Sequence, residues 1–183
     1  MKQNRFPLVL KTTAAVTAVV SAALAAVYHL CSQDWILSAA ITTFTTCYHF
    51  TMRLLVGLIV PCAIGDRKLD GRRWFRQRSF ETKLYTALKV KRWKDHMPTY
   101  DPASFSLKHH SLEQIVHNSC VSEAVHEVII LFSFIPLFFT ILWGTFPVFL
   151  ITSVLAALFD SCFVIMQRYN RPRLLRILHK KEA

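Results

Sequence analysis

Four apolar runs, residues 12–30, 35–60, 128–143 and 146–166, leave this chain few folds to choose from. At a rise of ~1.5 Å per residue, helices of these lengths cross or nearly cross a hydrocarbon layer ~30 Å thick. The third run is short by itself. However, Ser111-Leu112-Glu113-Gln114 reads as a capping box, in which the serine and glutamine side chains satisfy each other's backbone N–H, so the third helix should start near Ser111. A composition that is 53% hydrophobic with only four glycines agrees with this reading. The expected fold is an all-α integral membrane protein, a single membrane domain over residues 1–183 with four transmembrane helices. A basic amphipathic cytoplasmic segment, 63–125, separates the second helix from the third.

Charge orients the spans, because Lys and Arg in short flanking loops are retained on the cytoplasmic side. Of the 22 Lys and Arg, three precede the first run, twelve lie between the second and third, six follow the fourth, and Arg53 alone is inside a run. The loops 31–34 and 144–145 hold none. This predicts a multi-pass protein of the cell membrane with both termini cytoplasmic. The net charge of +11 is then mainly a topology signal, and such a face also attracts anionic lipid headgroups or an acidic carrier. Nucleic acid is not an expected partner, since no recognition fold accompanies the charge. The first run, with its basic start and Ala23-Leu24-Ala25, also resembles a signal peptide, a second reading that leaves the remaining topology unchanged. The five cysteines lack Cys-x-x-Cys spacing and read as reduced, small packing residues rather than disulfide partners or zinc ligands.

Polar groups within apolar spans are costly, so each is a candidate for function, with structural pairing as its alternative. In the second run Thr42, Thr46, His49 and Arg53 recur at helical spacing along one face. Arg53 and, in the fourth run, Asp160 each lie about seven residues from the cytoplasmic end, roughly 10 Å deep, which suggests a buried Arg53–Asp160 pair. The other reading of these groups is a polar cavity that admits part of a substrate. In the third helix Glu123-Ala124-Val125-His126-Glu127 places carboxylates three residues before His126 and next to it. His126 is a candidate general base and Glu123 its orienting carboxylate, the alternative being an interfacial helix end whose charges only reach water. No metal is expected, because a second histidine at ligand spacing is missing, and so is an acyltransferase-like His-x4-Asp arrangement. Residues 63–110 alternate aromatic and aliphatic groups such as Trp74, Phe75, Phe80, Tyr85 and Trp93 with Arg and Lys, as suits the headgroup zone. After the fourth run comes a dense polar block: Gln167, Arg168, Tyr169, Asn170, Arg171, Pro172, Arg173 and Leu174.

Three ordered blocks resemble one family, that of glycosyl-4,4'-diaponeurosporenoate acyltransferases. They are Phe80-Glu81 with Tyr85 followed by Lys91-Arg92-Trp93-Lys94-Asp95 and Pro98; then Cys120, Glu123 and His126; then 167–174. The resemblance covers about 74–174. The chain departs from the family pattern at Asn118, where an acidic residue is usual, and at Asp160, where an asparagine stands nearby, which marks a distinct branch. The resemblance implies transfer of a fatty acyl group from a thioester donor, acyl-CoA or acyl-carrier protein, to a hydroxyl of a glycosylated lipid or carotenoid. No bound cofactor is implied. On this reading Trp93, Lys94, Gln167, Arg168, Tyr169, Asn170, Arg171 and Arg173 bind the donor or the acceptor headgroup, which is a membrane lipid or glycolipid. A small membrane reductase or methyltransferase, or a non-enzymatic membrane subunit, would use the same cytoplasmic edge differently.

Overall fold

A computed structural model describes residues 5–182, with side chains described to 180. Among the described residues every regular element is helical. The α-helices are α1 (Phe6–Cys31), α2 (Asp34–Ile64), α3 (Glu81–Ala87), α4 (Val90–Trp93), α5 (Leu112–Phe132), α6 (Thr140–Trp143) and α7 (Phe146–Glu182). Four stretches are long and apolar enough to cross a membrane: Phe6–Cys31, Asp34–Ile64, Leu112–Trp143 and Phe146–Lys180. The chain is thus a multi-pass membrane protein by the length and composition of its helices.

The chain forms two compact units. One contains the residues up to Leu58 together with Ile129–Leu158; the other contains Ile59–Val128 together with the residues from Phe159 onward. In the first unit Leu30, Val19, Phe138 and Ile141 are exposed, while Ile36, Ile41, Met52, Val56 and Phe149 are buried. Apolar side chains on the outside cost nothing where the solvent is lipid, and the interior then depends on close packing of small and aromatic groups. Phe139 and Trp143 each lie within 6.4 Å of Phe149, ring to ring, with Phe44 edge-on to both. Hydroxyls in this unit return to their own helix, as where Thr45 and Ser133 donate to the carbonyls of Ile41 and Ile129, both at 2.8 Å.

The third span is not the continuous helix that its hydropathy suggests. α5 ends at Phe132, a 3-10 segment covers Ile135–Phe139, and α6 adds one turn. Pro136 is the cause, since it has no N–H to donate and its ring collides with the carbonyl four residues back. That carbonyl belongs to Phe132, and it accepts instead from the Tyr48 hydroxyl at 2.9 Å. Gly144, at φ 77°, closes the short helix in a conformation that side chains resist and leads into α7.

The second unit carries the polar chemistry. α5 starts where the capping box places it: Ser111 N–H donates to Gln114 Oε1 (2.9 Å), and Gln114 N–H donates to Ser111 Oγ (3.2 Å). The segment before α5 consists of short pieces, with 3-10 turns at Arg73–Phe75, Lys94–His96 and Pro102–Phe105 around α3 and α4. Lys89 interrupts the aromatic and basic pattern with φ 51°, so α3 and α4 cannot merge into one amphipathic helix. Asn118 on α5 secures the last of these pieces by donating to Ser104 O at 2.8 Å.

Candidate functional site

Within the second unit, α5 and α7 supply most of the titratable groups, and the 73–81 segment supplies the rest. Glu123 is fully buried, and a carboxylate removed from water needs cationic partners. Arg168 and Arg171, three apart on α7 and so on one helical face, provide them: Arg168 Nη1 lies 2.6 Å from one carboxylate oxygen and Arg171 Nη2 2.5 Å from the other. Arg168 also grips Glu81 through Nε (3.0 Å) and Nη2 (2.6 Å), and donates to the carbonyls of Trp74 and Arg76. Arg171, 1% exposed, donates to Phe75 O and to Ser119 O and Oγ. Tyr85 completes the set with a 2.8 Å hydrogen bond to Glu81 Oε2. Burial and then Glu81 push the Tyr85 phenol well above its usual range, so it remains a donor. Two carboxylates and two guanidinium groups thus neutralise one another out of water. Arg171 and most of Arg168 are thereby committed to groups of the protein, while Arg168 also lines the groove beside Glu127.

His126, one turn further along α5 than Glu123, has a different partner. Its Nδ1 lies 2.9 Å from Asp160 Oδ1, its ring stacks on Phe163 at 4.4 Å, and its side chain is 20% exposed against 2% for Asp160. The carboxylate next to the imidazole is therefore Asp160, while the carboxylate three residues back serves the arginines. With Nδ1–H directed to Asp160, Nε2 is the basic nitrogen, and among the described residues nothing donates to it. The single N–H of the Trp74 indole is shared between the two carboxylate oxygens of Glu127, at 3.0 and 2.8 Å. Beside it lies a groove of ≈ 290 Å³ whose walls include Phe80, Leu84 and Ile165 on the apolar side and Glu127, Tyr85 and Trp74 on the polar side.

The remaining residues singled out in the sequence have other partners. Gln167 is buried and donates to Ser122 Oγ at 3.2 Å. Tyr169 sets its ring against Tyr85 and accepts from the exposed Arg173, which also lies over its face. Asn170 is half-buried, Trp93 donates to Leu88 O, and Lys94 pairs with Asp95, whose carboxyl it holds below the usual range. In the first unit His49 is buried, and Arg53 donates to His49 O and Ala156 O. Among the described residues no group of three or more His, Cys, Asp or Glu side chains could hold a metal ion. The sequence reading did not assign functional roles to Trp74, Glu81, Tyr85, Glu127 or Phe163. The i, i+4 spacing of Glu81 and Tyr85 was the available signal for one pair.

The family model described as glycosyl-4,4'-diaponeurosporenoate acyltransferase matches residues 71–180, more than half of the chain. The match contains the 73–81 segment, the whole of α5 and the polar end of α7. No curated protein and no solved structure matches the chain.

Proposed function

Since the chain belongs to the glycosyl-4,4'-diaponeurosporenoate acyltransferase family, we propose that it is a membrane enzyme that moves a fatty acyl group from a thioester donor to a hydroxyl of a glycosylated lipid or carotenoid. The observation that supports this most directly is the His126–Asp160 pair, a partly exposed imidazole held by a buried carboxylate and open at Nε2.

Acyl transfer of this kind needs a base for the acceptor hydroxyl and an acid for the leaving thiolate. His126 Nε2 takes the hydroxyl proton as the oxygen attacks the thioester carbonyl. Asp160 fixes the tautomer and stabilises the imidazolium that results. The tetrahedral intermediate then collapses, the C–S bond breaks, and the proton on Nε2 passes to the departing sulfur. The ester forms and the imidazole is regenerated, so no redox partner is needed. The orienting role expected of Glu123 goes to Asp160, and Glu123 instead anchors Arg168 and Arg171, which hold the backbone of the 74–76 segment.

The groove beside Glu127 suits the polar head of the acceptor, with Trp74 offering a ring face and Glu127 and Tyr85 offering polar atoms. An amphiphilic acceptor would keep its tail in the bilayer and present its sugar at the surface. The segregation of Lys and Arg supports a cytoplasmic position for that surface, with both termini on the same side, in the cell membrane. The donor is acyl-CoA or acyl-carrier protein. Lipid extracts of cells supplied with glycosylated carotenoid and expressing this chain should contain a new acyl ester by mass spectrometry. The reading is abandoned if no acyl ester appears across glycosylated carotenoid and glycolipid acceptors while the protein is abundant in the membrane.

A further inference from the structure

Arg168 and Arg171 are committed to buried acids and backbone carbonyls, but three other guanidinium groups are not. A second pocket, of ≈ 450 Å³, adjoins the groove beside Glu127 and is lined by Arg73, Trp74, Arg76, Gln77 and Arg78. None of these lining side chains is a carboxylate. Among the described residues Arg73 and Arg78 pair with no acid, and Arg76 makes one hydrogen bond, from Nη2 to Gly71 O at 3.3 Å. All three are exposed. Unpaired arginines on a loose loop would be an ordinary solvated surface, but this backbone is held from beneath. The carbonyls of Trp74 and Arg76 are held by Arg168, and that of Phe75 by Arg171. Trp74 is tied to Glu127, and Gln77 to Thr82 Oγ1 at 3.3 Å. The buried ion-pair cluster therefore fixes the segment from which the exposed arginines project, which lowers the ordering cost of binding an anion there.

We propose that the pocket formed by Arg73, Arg76 and Arg78 is a phosphate-binding site. Planar guanidinium forks match phosphoryl oxygens two at a time, and three of them within six residues suit a diphosphate or a phosphate monoester better than a single carboxylate. Two sources carry this chemistry at a membrane surface, the nucleotide arm of a CoA thioester and the headgroup of an anionic lipid. The site rests on its own lining, and only its use by an acyl donor rests on the acyl-transfer reading.

The test uses the full chain in two arms: coenzyme A titrated into protein in neutral micelles, and protein in nanodiscs with a rising fraction of phosphatidylglycerol. Both compare the wild type with Arg73→Gln/Arg78→Gln, with Arg76→Gln as a second variant and Lys108→Gln, an exposed cation outside the pocket, as a control. We expect coenzyme A to bind the wild type and Lys108→Gln equally, to bind the double variant at least about tenfold more weakly, and to lose affinity as salt rises. If only the phosphatidylglycerol arm responds to the arginines, the site stands as a lipid-phosphate site and the donor use is overturned. If neither arm responds while all variants unfold at the wild-type temperature, the phosphate site is overturned. Binding that persists in a protein without acyl transfer would count against the proposed reaction and leave the site intact.

Discussion

The second unit builds two polar constellations from the same two helices, and they differ in what they leave open. Around Glu123 the strong groups are buried or mostly so and matched acid against base, with further guanidinium hydrogens given to backbone carbonyls. Around His126 one carboxylate is buried, but the imidazole is partly exposed and has one basic nitrogen without a donor. Matched, buried charges fix a shape, since any one of them alone would be too costly to keep. A partly exposed base with an oriented ring can act on something that arrives. The contrast assigns architecture to the first constellation and chemistry to the second.

Several substitutions can break that contrast. The largest effect is expected for His126→Ala, a loss of acyl transfer of about 10²- to 10⁴-fold per folded molecule. Glu123→Ala should instead destabilise the protein by about 3–5 kcal/mol, because it leaves Arg171 buried without a carboxylate and Arg168 with Glu81 alone. Its signature is loss of folded protein from the membrane, and an abundant, stable Glu123→Ala protein would dissolve the distinction. Tyr85→Phe removes one hydrogen bond to Glu81 and should cost about 1–2 kcal/mol in thermal unfolding while sparing the chemical step. Ser111→Ala tests the start of α5 and should cost about 1 kcal/mol, read in the same unfolding experiment. The smallest change is expected for Arg173→Ala, an exposed side chain whose partner is Tyr169 and whose loss should shift stability by less than about 1 kcal/mol.

What the sequence made legible follows the range of the forces involved. Span length and charge segregation are summed over tens of residues, and the capping box is local, so four apolar helices and the start of α5 could be read directly. The break at Pro136 was visible as a residue but hidden in the hydropathy, which counts apolar side chains and ignores the missing N–H. The site was harder. Glu123 and His126 are neighbours on α5, so their pairing looked natural, but the nearest carboxylate to the imidazole comes from α7, 34 positions along the chain. Arg168 and Arg171 looked like an exposed clamp because arginine usually is exposed, and their burial depends on Glu81 and Glu123, which only the tertiary fold brings to them. Asn118, where the family pattern has an acid, makes a loop-fastening hydrogen bond here.

The central claim is that His126, held by Asp160, performs the chemistry while the Glu123 cluster holds the frame. The most direct measurement is the rate of acyl transfer by His126→Ala relative to wild type, in the same reconstituted membrane and at matched amounts of folded protein. A fall of at least about a hundredfold per folded molecule is expected. A rate within about twofold of wild type would contradict it.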